Sequence, residues 1–179
     1  MATFERTKLK LKEGHTWACR PGYKICVLAE GALRFDVPRE WVMEPSDTSV
    51  KLYDLPPPDD NCRLEVSLIR HSQIDWSGLD LDRLIGTAVG AQAGGEIQEI
   101  HRRSRPGVDV AWVERSSVED GKEARSRVAI VRGVNAHALI TLDFWATDAG
   151  RLEPVWEEIV RSIDAGLKVQ DPTVGERRM

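Results

Sequence analysis

The sequence predicts an α/β protein of the α+β type, an antiparallel sheet of about six to seven strands flanked by helices. Three observations carry this. An Asp120-Gly121 dipeptide sits between two long segments that alternate apolar and polar residues, the pattern of a tight hairpin. Further alternating segments bounded by Gly, Pro or Asp lie upstream. Near the C-terminus Leu152, Val155, Trp156, Ile159, Val160, Ile163 and Leu167 recur at helical spacing.

Residues 23–30 and 33–37 flank Gly31-Ala32 and predict a hairpin in which Leu33, Phe35 and Val37 alternate with Arg34 and Asp36. Residues 50–54 and 62–71 are further strands, separated by the stiff loop Pro56-Pro57-Pro58-Asp59-Asp60-Asn61. Along 62–71, Cys62, Leu64, Val66 and Leu68 share one face. Ser77, with Asp80 three residues on, predicts a helix cap. Leu81, Leu84, Ile85, Ala88 and Val89 then keep helical spacing until Gly94-Gly95. Residues 97–103 predict a strand before Arg105-Pro106-Gly107. Pro154 fits only a first helical turn, so the last helix should begin near Gly150 or Arg151.

Asp-Gly in a two-residue type I′ turn places Glu119 opposite Lys122, Glu114 opposite Arg127 and Asp109 opposite Arg132. All three pairs join opposite charges, which favours that register. A three-residue loop at Gly133-Val134-Asn135 then sets Val128 against Ile140 and Arg125 against Asp143. Strands at about 108–117, 123–132 and 136–146 form a meander. In this register Ala111, Val113, Val128, Ile130, Ala138, Ile140 and Leu142 make the core face. The other face carries Val110, Trp112, Val131 and Leu139 at one end. At its opposite end it carries Glu114, Arg125, Arg127, Thr141 and Asp143.

The chain has 179 residues, 41% hydrophobic and 30% charged, with a net charge of −4, the profile of a folded globular domain. An acidic balance argues against holding nucleic acid by bulk charge. The Arg102, Arg103 and Arg105 patch reads as a solvated strand end. No secretory leader or membrane-spanning segment is expected, and three cysteines, an odd and low number, suit the cytoplasm. The expected organisation is an N-terminal extension over 1–22, one domain over 23–168 and a frayed tail over 169–179.

The order of these elements resembles the PsbP-like superfamily. The resemblance spans residues 23–168 and rests on the extended Leu33-Arg-Phe-Asp-Val-Pro-Arg-Glu-Trp41 segment and on Ile159-Val-Arg-Ser162-Ile163 in the last helix. That group holds an extrinsic photosystem subunit, a Ran-binding import factor and small bacterial proteins. It implies an α/β/α sandwich and a non-enzymatic, protein-binding role, with no family-wide catalytic residue to carry over.

Candidate chemistry is sparse. His15, Cys19 and Cys26 give H-x3-C-x6-C without an obvious fourth zinc ligand, and half-buried thiols beside a surface histidine account for them. His71, His101 and His137 sit on separate strands as edge or solvent residues. No G-x-S-x-G and no phosphate-binding glycine loop occurs. Gly90-Ala-Gln-Ala-Gly94-Gly95 ends a helix instead of opening one. No catalytic residue, metal or cofactor is expected. The expected function is a non-catalytic module for a protein or peptide partner. Its site is the polar end of the meander: Glu114, Arg125, Arg127, Asp143 and Trp145. Arg125 and Arg127 would offer forks for a carboxylate, and Trp145 an aromatic anchor. The alternative is a small-molecule site or enzyme built on the same cluster. Among the other tryptophans, Trp41 and Trp156 are assigned to the core.

Overall fold

A computed structural model describes residues 5–72, 75–90, 99–167 and 169–175. The strands are β1 (Tyr23–Leu28), β2 (Leu33–Pro38), β3 (Val42–Pro45), β4 (Val50–Tyr53), β5 (Cys62–Arg70), β6 (His101–Arg105), β7 (Val108–Glu119), β8 (Lys122–Gly133), β9 (Ala136–Trp145) and β10 (Asp164–Ala165). The helices are α1 (Leu81–Gly90) and α2 (Ala149–Ser162). Seven strands form one antiparallel sheet in the order β3-β4-β5-β9-β8-β7-β6. The β1-β2 hairpin and β10 form a separate three-stranded sheet, which the sequence reading did not separate from the main one. Strand β3 was not anticipated either.

Asp120 and Gly121 have φ of 50° and 75°, both positive as a type I′ turn requires. The register follows: Glu119 faces Lys122, Glu114 faces Arg127 and Asp109 faces Arg132.

The next turn differs from the expectation by one residue. Gly133 stays in β8, paired with Val108, and only Val134 and Asn135 turn. Val128 therefore faces Thr141, and Ala129 faces Ile140. Gly133 sits at a close approach there: a Cβ on it would stand 2.6 Å from the Cβ of Ala165 in β10. The glycine serves packing, and the turn is made by its neighbours.

In a sheet, a one-residue shift turns a strand's side chains to the opposite face. The inner face thus joins Val110, Ala129 and Val131 to Ile140, Leu142, Leu64 and Val66, all buried in the main core. It is covered by α2 and by Cys26, Leu33, Phe35 and Val37 of the small sheet. On the outer face, Val113 and Val128 pack under Ile85 and Val89 of α1. The expected core face, which grouped Val113 and Val128 with Ile140 and Leu142, is corrected accordingly. The helix–sheet–helix layering holds, with the small sheet sharing the α2 layer.

Helix α1 is capped by Asp80, not Ser77. The Asp80 Oδ1 accepts hydrogen bonds from the Asp82 and Arg83 amides at 3.0 and 3.4 Å. The Gly94-Gly95 stop and residues 97 and 98 of the predicted strand lie outside the described residues. Helix α2 ends at Ser162, short of the predicted Leu167. Asp164 and Ala165 leave the helix to pair with Arg34 and Leu33. Leu167 instead buries beside Trp17 and Val169. Arg34 closes the helix end: its Nη1 donates to the Ser162 carbonyl at 3.0 Å, while the Asp36 amide donates to Ser162 Oγ at 2.8 Å. The tail expected to fray is held as far as Gly175. Trp17 Nε1 donates to the Pro172 carbonyl at 2.7 Å, and the Thr16 amide donates to the Val174 carbonyl at 2.8 Å.

Trp41 and Trp156 are buried, as expected, at 3% and 1% exposure. Trp156→Ala should cost about 3–5 kcal/mol by chemical denaturation. A loss under about 1 kcal/mol would contradict the central place given to α2.

Candidate functional site

Glu114, Arg125, Arg127, Asp143 and Trp145 all lie at one end of the meander, but on two faces. Arg127 faces Leu142, Ser126 faces Asp143, and Ala124 faces Trp145. Opposed residues share a face, so Glu114, Arg125 and Arg127 turn inward while Asp143 and Trp145 turn outward. The expected Arg125–Asp143 pair does not form.

The inner group is closed. Arg127 Nε donates to Glu114 at 2.7 Å, and its Nη2 donates to Glu153 of α2. The second Glu114 oxygen accepts from Arg125 Nη1 at 3.1 Å. The Arg127 guanidinium carbon lies 5.7 Å from the Phe144 ring centre and 5.8 Å from that of Trp156. Burial opposes its charge, but Glu153 and Glu114 outweigh it and raise the Arg127 pKa. The side chain is only 8% exposed. Arg127 is therefore an internal clamp joining β7, β8 and α2. It is not an open fork, and charge reversal there would not leave the fold intact.

The outer group is open. Asp143 accepts from Ser126 Oγ at 2.7 Å and from Arg63 Nη2 at 2.9 Å. The Asp143 contact raises the Arg63 pKa against the opposing effect of burial. Trp145 is half-exposed, with Lys122 Nζ 5.5 Å from its ring centre. Helix α1 packs over β7 and β8. On the β5–β9 half, Leu139 remains 38% and Ile69 68% exposed. Cross-strand pairs align Arg63 with Asp143, Glu65 with Thr141, Ser67 with Leu139 and Ile69 with His137. Sequence reasoning missed Arg63, Ser126 and Glu153 as partners. Arg63 could be placed on the polar side of its strand by alternation alone, but its neighbour depends on the β5–β9 pairing.

Among the described residues no three His, Cys, Asp or Glu side chains gather as a metal site. Burial pushes the Cys26 and Cys62 thiols up to about 12. Arg102 donates to Asp82 at 2.9 Å, and Trp112 stacks on His101 at 5.3 Å. His71 and His137, expected apart, are brought together with ring centres 4.4 Å apart, and Trp76 packs on both. Trp76 Nε1 donates to His71 Nδ1 at 3.1 Å.

Two outcomes follow from these clusters. Arg127→Glu would set three carboxylates together, so it should lose about 3 kcal/mol or more in denaturant titration. Glu153→Gln, at an exposed partner, should lose under about 1 kcal/mol. Equal losses would contradict the clamp. Separately, burial, His71 and Arg132 lower the His137 pKa. The unfolded chain takes up that proton near pH 6.5 and the folded chain only at lower pH. Acidification through that range therefore favours unfolding. His137→Gln should reduce the drop in melting temperature between about pH 7.5 and about pH 5.5. An unchanged drop would contradict this assignment.

The family model described as Alr1449 matches residues 24–169. The uncharacterized protein alr1449 of Nostoc sp. (strain PCC 7120) is 38% identical over 172 residues, covering 93% of this chain and 90% of its own. Three solved structures share the fold. The cyanobacterial PsbP (CyanoP) of Synechocystis sp. PCC 6803 has a TM-score of 0.59 at 14% identity, over 84% of this chain and 98% of that one. LpqN of Mycobacterium tuberculosis, described as involved in cell envelope biogenesis, gives 0.55 at 14%, over 79% and 88%. The Saccharomyces cerevisiae Ran-binding protein Mog1p gives 0.54 at 13%, over 85% and 98%. The PsbP-like resemblance read from the sequence holds at the level of the fold.

Proposed function

The chain belongs to the Alr1449 family, and from that premise we propose that it is a non-catalytic module that binds a protein or peptide through the outer face of β5 and β9. The observation that carries this reading is the open strip on that face. Trp145, Leu139 and Ile69 stand among Asp143, Arg63, Ser126 and Thr141. An aromatic anchor with exposed aliphatics and adjustable polar groups is the make-up of a protein contact. The Arg63–Asp143 pair orders the polar edge of the strip. The scaffold supports the reading too, since a solved structure of the same fold is named a Ran-binding protein.

In this reading the partner is neither nucleic acid nor membrane. The chain's net charge is −4, and no helix among the described residues is long and apolar enough to cross a bilayer. The compartment is the cytoplasm, which suits three free cysteines. The original five-residue site is thereby reduced to Asp143 and Trp145, with Glu114, Arg125 and Arg127 supporting them from behind.

The test is titration of a partner isolated from the native host against wild type, Trp145→Ala and Leu139→Asp, with circular dichroism as the folding control. Each variant should bind about tenfold or more weakly, and Glu157→Gln on the far side should bind as wild type does. Undiminished affinity of both outer-face variants would overturn the site.

A further inference from the structure

A second surface lies on the other side of the seven-stranded sheet. Among the described residues strand β1 pairs with β2 alone, which leaves its far edge without a neighbouring strand. An open edge offers alternate N–H and C=O groups to an incoming strand. A cavity of about 970 Å³ runs along this edge, and all six β1 residues line it. The N-terminal segment forms the opposite wall, where Leu9 and Leu11 face the cavity while 46% and 40% exposed. Met43 and Pro45 of β3 complete it. The slot thus lies between an extended edge and a second stretch of chain carrying uncovered leucines.

Its charge is distinctive. Arg6, Lys8, Lys24 and Arg39 line the slot, against Glu5 and Glu30. Lys24 Nζ donates to the Trp41 carbonyl, and among the described residues no carboxylate pairs with it. Burial lowers its pKa, Arg6 and Lys8 lower it further, and Glu40 offsets part of this. A half-buried ammonium flanked by two more cations is stabilised by an incoming anion.

We propose that this slot binds an extended acidic peptide segment, which adds to β1 as a strand and places a carboxylate on Lys24. Main-chain hydrogen bonds to the β1 edge supply the affinity. The alternation of side chains supplies the specificity, with acids toward Lys24 and apolar residues toward Leu9 and Leu11. This goes beyond the outer-face reading and does not depend on it, since the two surfaces lie on opposite sides of the sheet.

The experiment uses the full chain and a fluorescein-labelled hexapeptide of alternating glutamate and valine, read by fluorescence polarisation. Saturable binding is expected, weakened about tenfold by Lys24→Gln and unchanged by Trp145→Ala. N-methylation of alternate peptide nitrogens should abolish binding in at least one of its two phases, a readout on the probe that leaves the protein untouched. Any one of four results overturns the proposal. These are no binding, equal binding of the lysine–valine counterpart, indifference to N-methylation in both phases, and loss of binding on Trp145→Ala. Competition by dodecanoate, which has no amide groups, together with indifference to N-methylation would assign the slot to an amphiphile instead.

Discussion

The packing of Gly133 against β10 is the constraint on which the rest of the molecule depends. With a Cβ at residue 133 standing only 2.6 Å from that of Ala165, the position paired with Val108 in β8 accepts glycine alone. The chain then turns on two residues, Val134 and Asn135, and β9 takes the register that points Ile140, Leu142 and Phe144 inward. The same contact holds the small sheet on the large one, because β10 also pairs with Arg34 and Leu33 of β2. Arg34 in turn closes the end of α2. Turn, face, second sheet and helix end therefore meet around one place where a side chain would not fit.

Local chemistry was legible in the sequence. Asp120-Gly121 set the β7–β8 register, since its turn type has a definite geometry and three charge pairs agree with it. The periodicity of Leu152, Val155, Trp156 and Ile159 placed α2, and the cap residue of α1 was misplaced by three positions only. Long-range contacts were not legible. Gly133 reads as a turn residue until Ala165 is known to sit on it. Residues 164 and 165 read as helix until Arg34 and Leu33 are known to pair with them. His71 and His137 are 66 positions apart in the chain, and the pairing of β5 with β9 is what brings their rings together.

The candidate site shows the same division. Alternation correctly put Glu114 and Arg127 together, because their pairing depends on the hairpin alone. It failed for Asp143 and Trp145, whose face depends on the next turn. Burial changed the meaning of the charges as well. The same Arg–Glu pattern at the surface is worth little. Between β8 and α2, with only 8% of the Arg127 side chain exposed, it becomes a clamp whose loss leaves charge stranded inside. Separating the two faces leaves a closed, structural side and an open side of tryptophan, aliphatics and one ordered ion pair. The division of labour between them is the basis for reading the protein as a binding module.

The most direct test of that division is side-chain oxidation footprinting of the protein alone and in complex with its native partner. The account predicts that Trp145, Leu139 and Ile69 lose reactivity in the complex while Pro154 and Glu157, on the solvent side of α2, keep theirs. Protection of the α2 surface with Trp145 left fully reactive would contradict it.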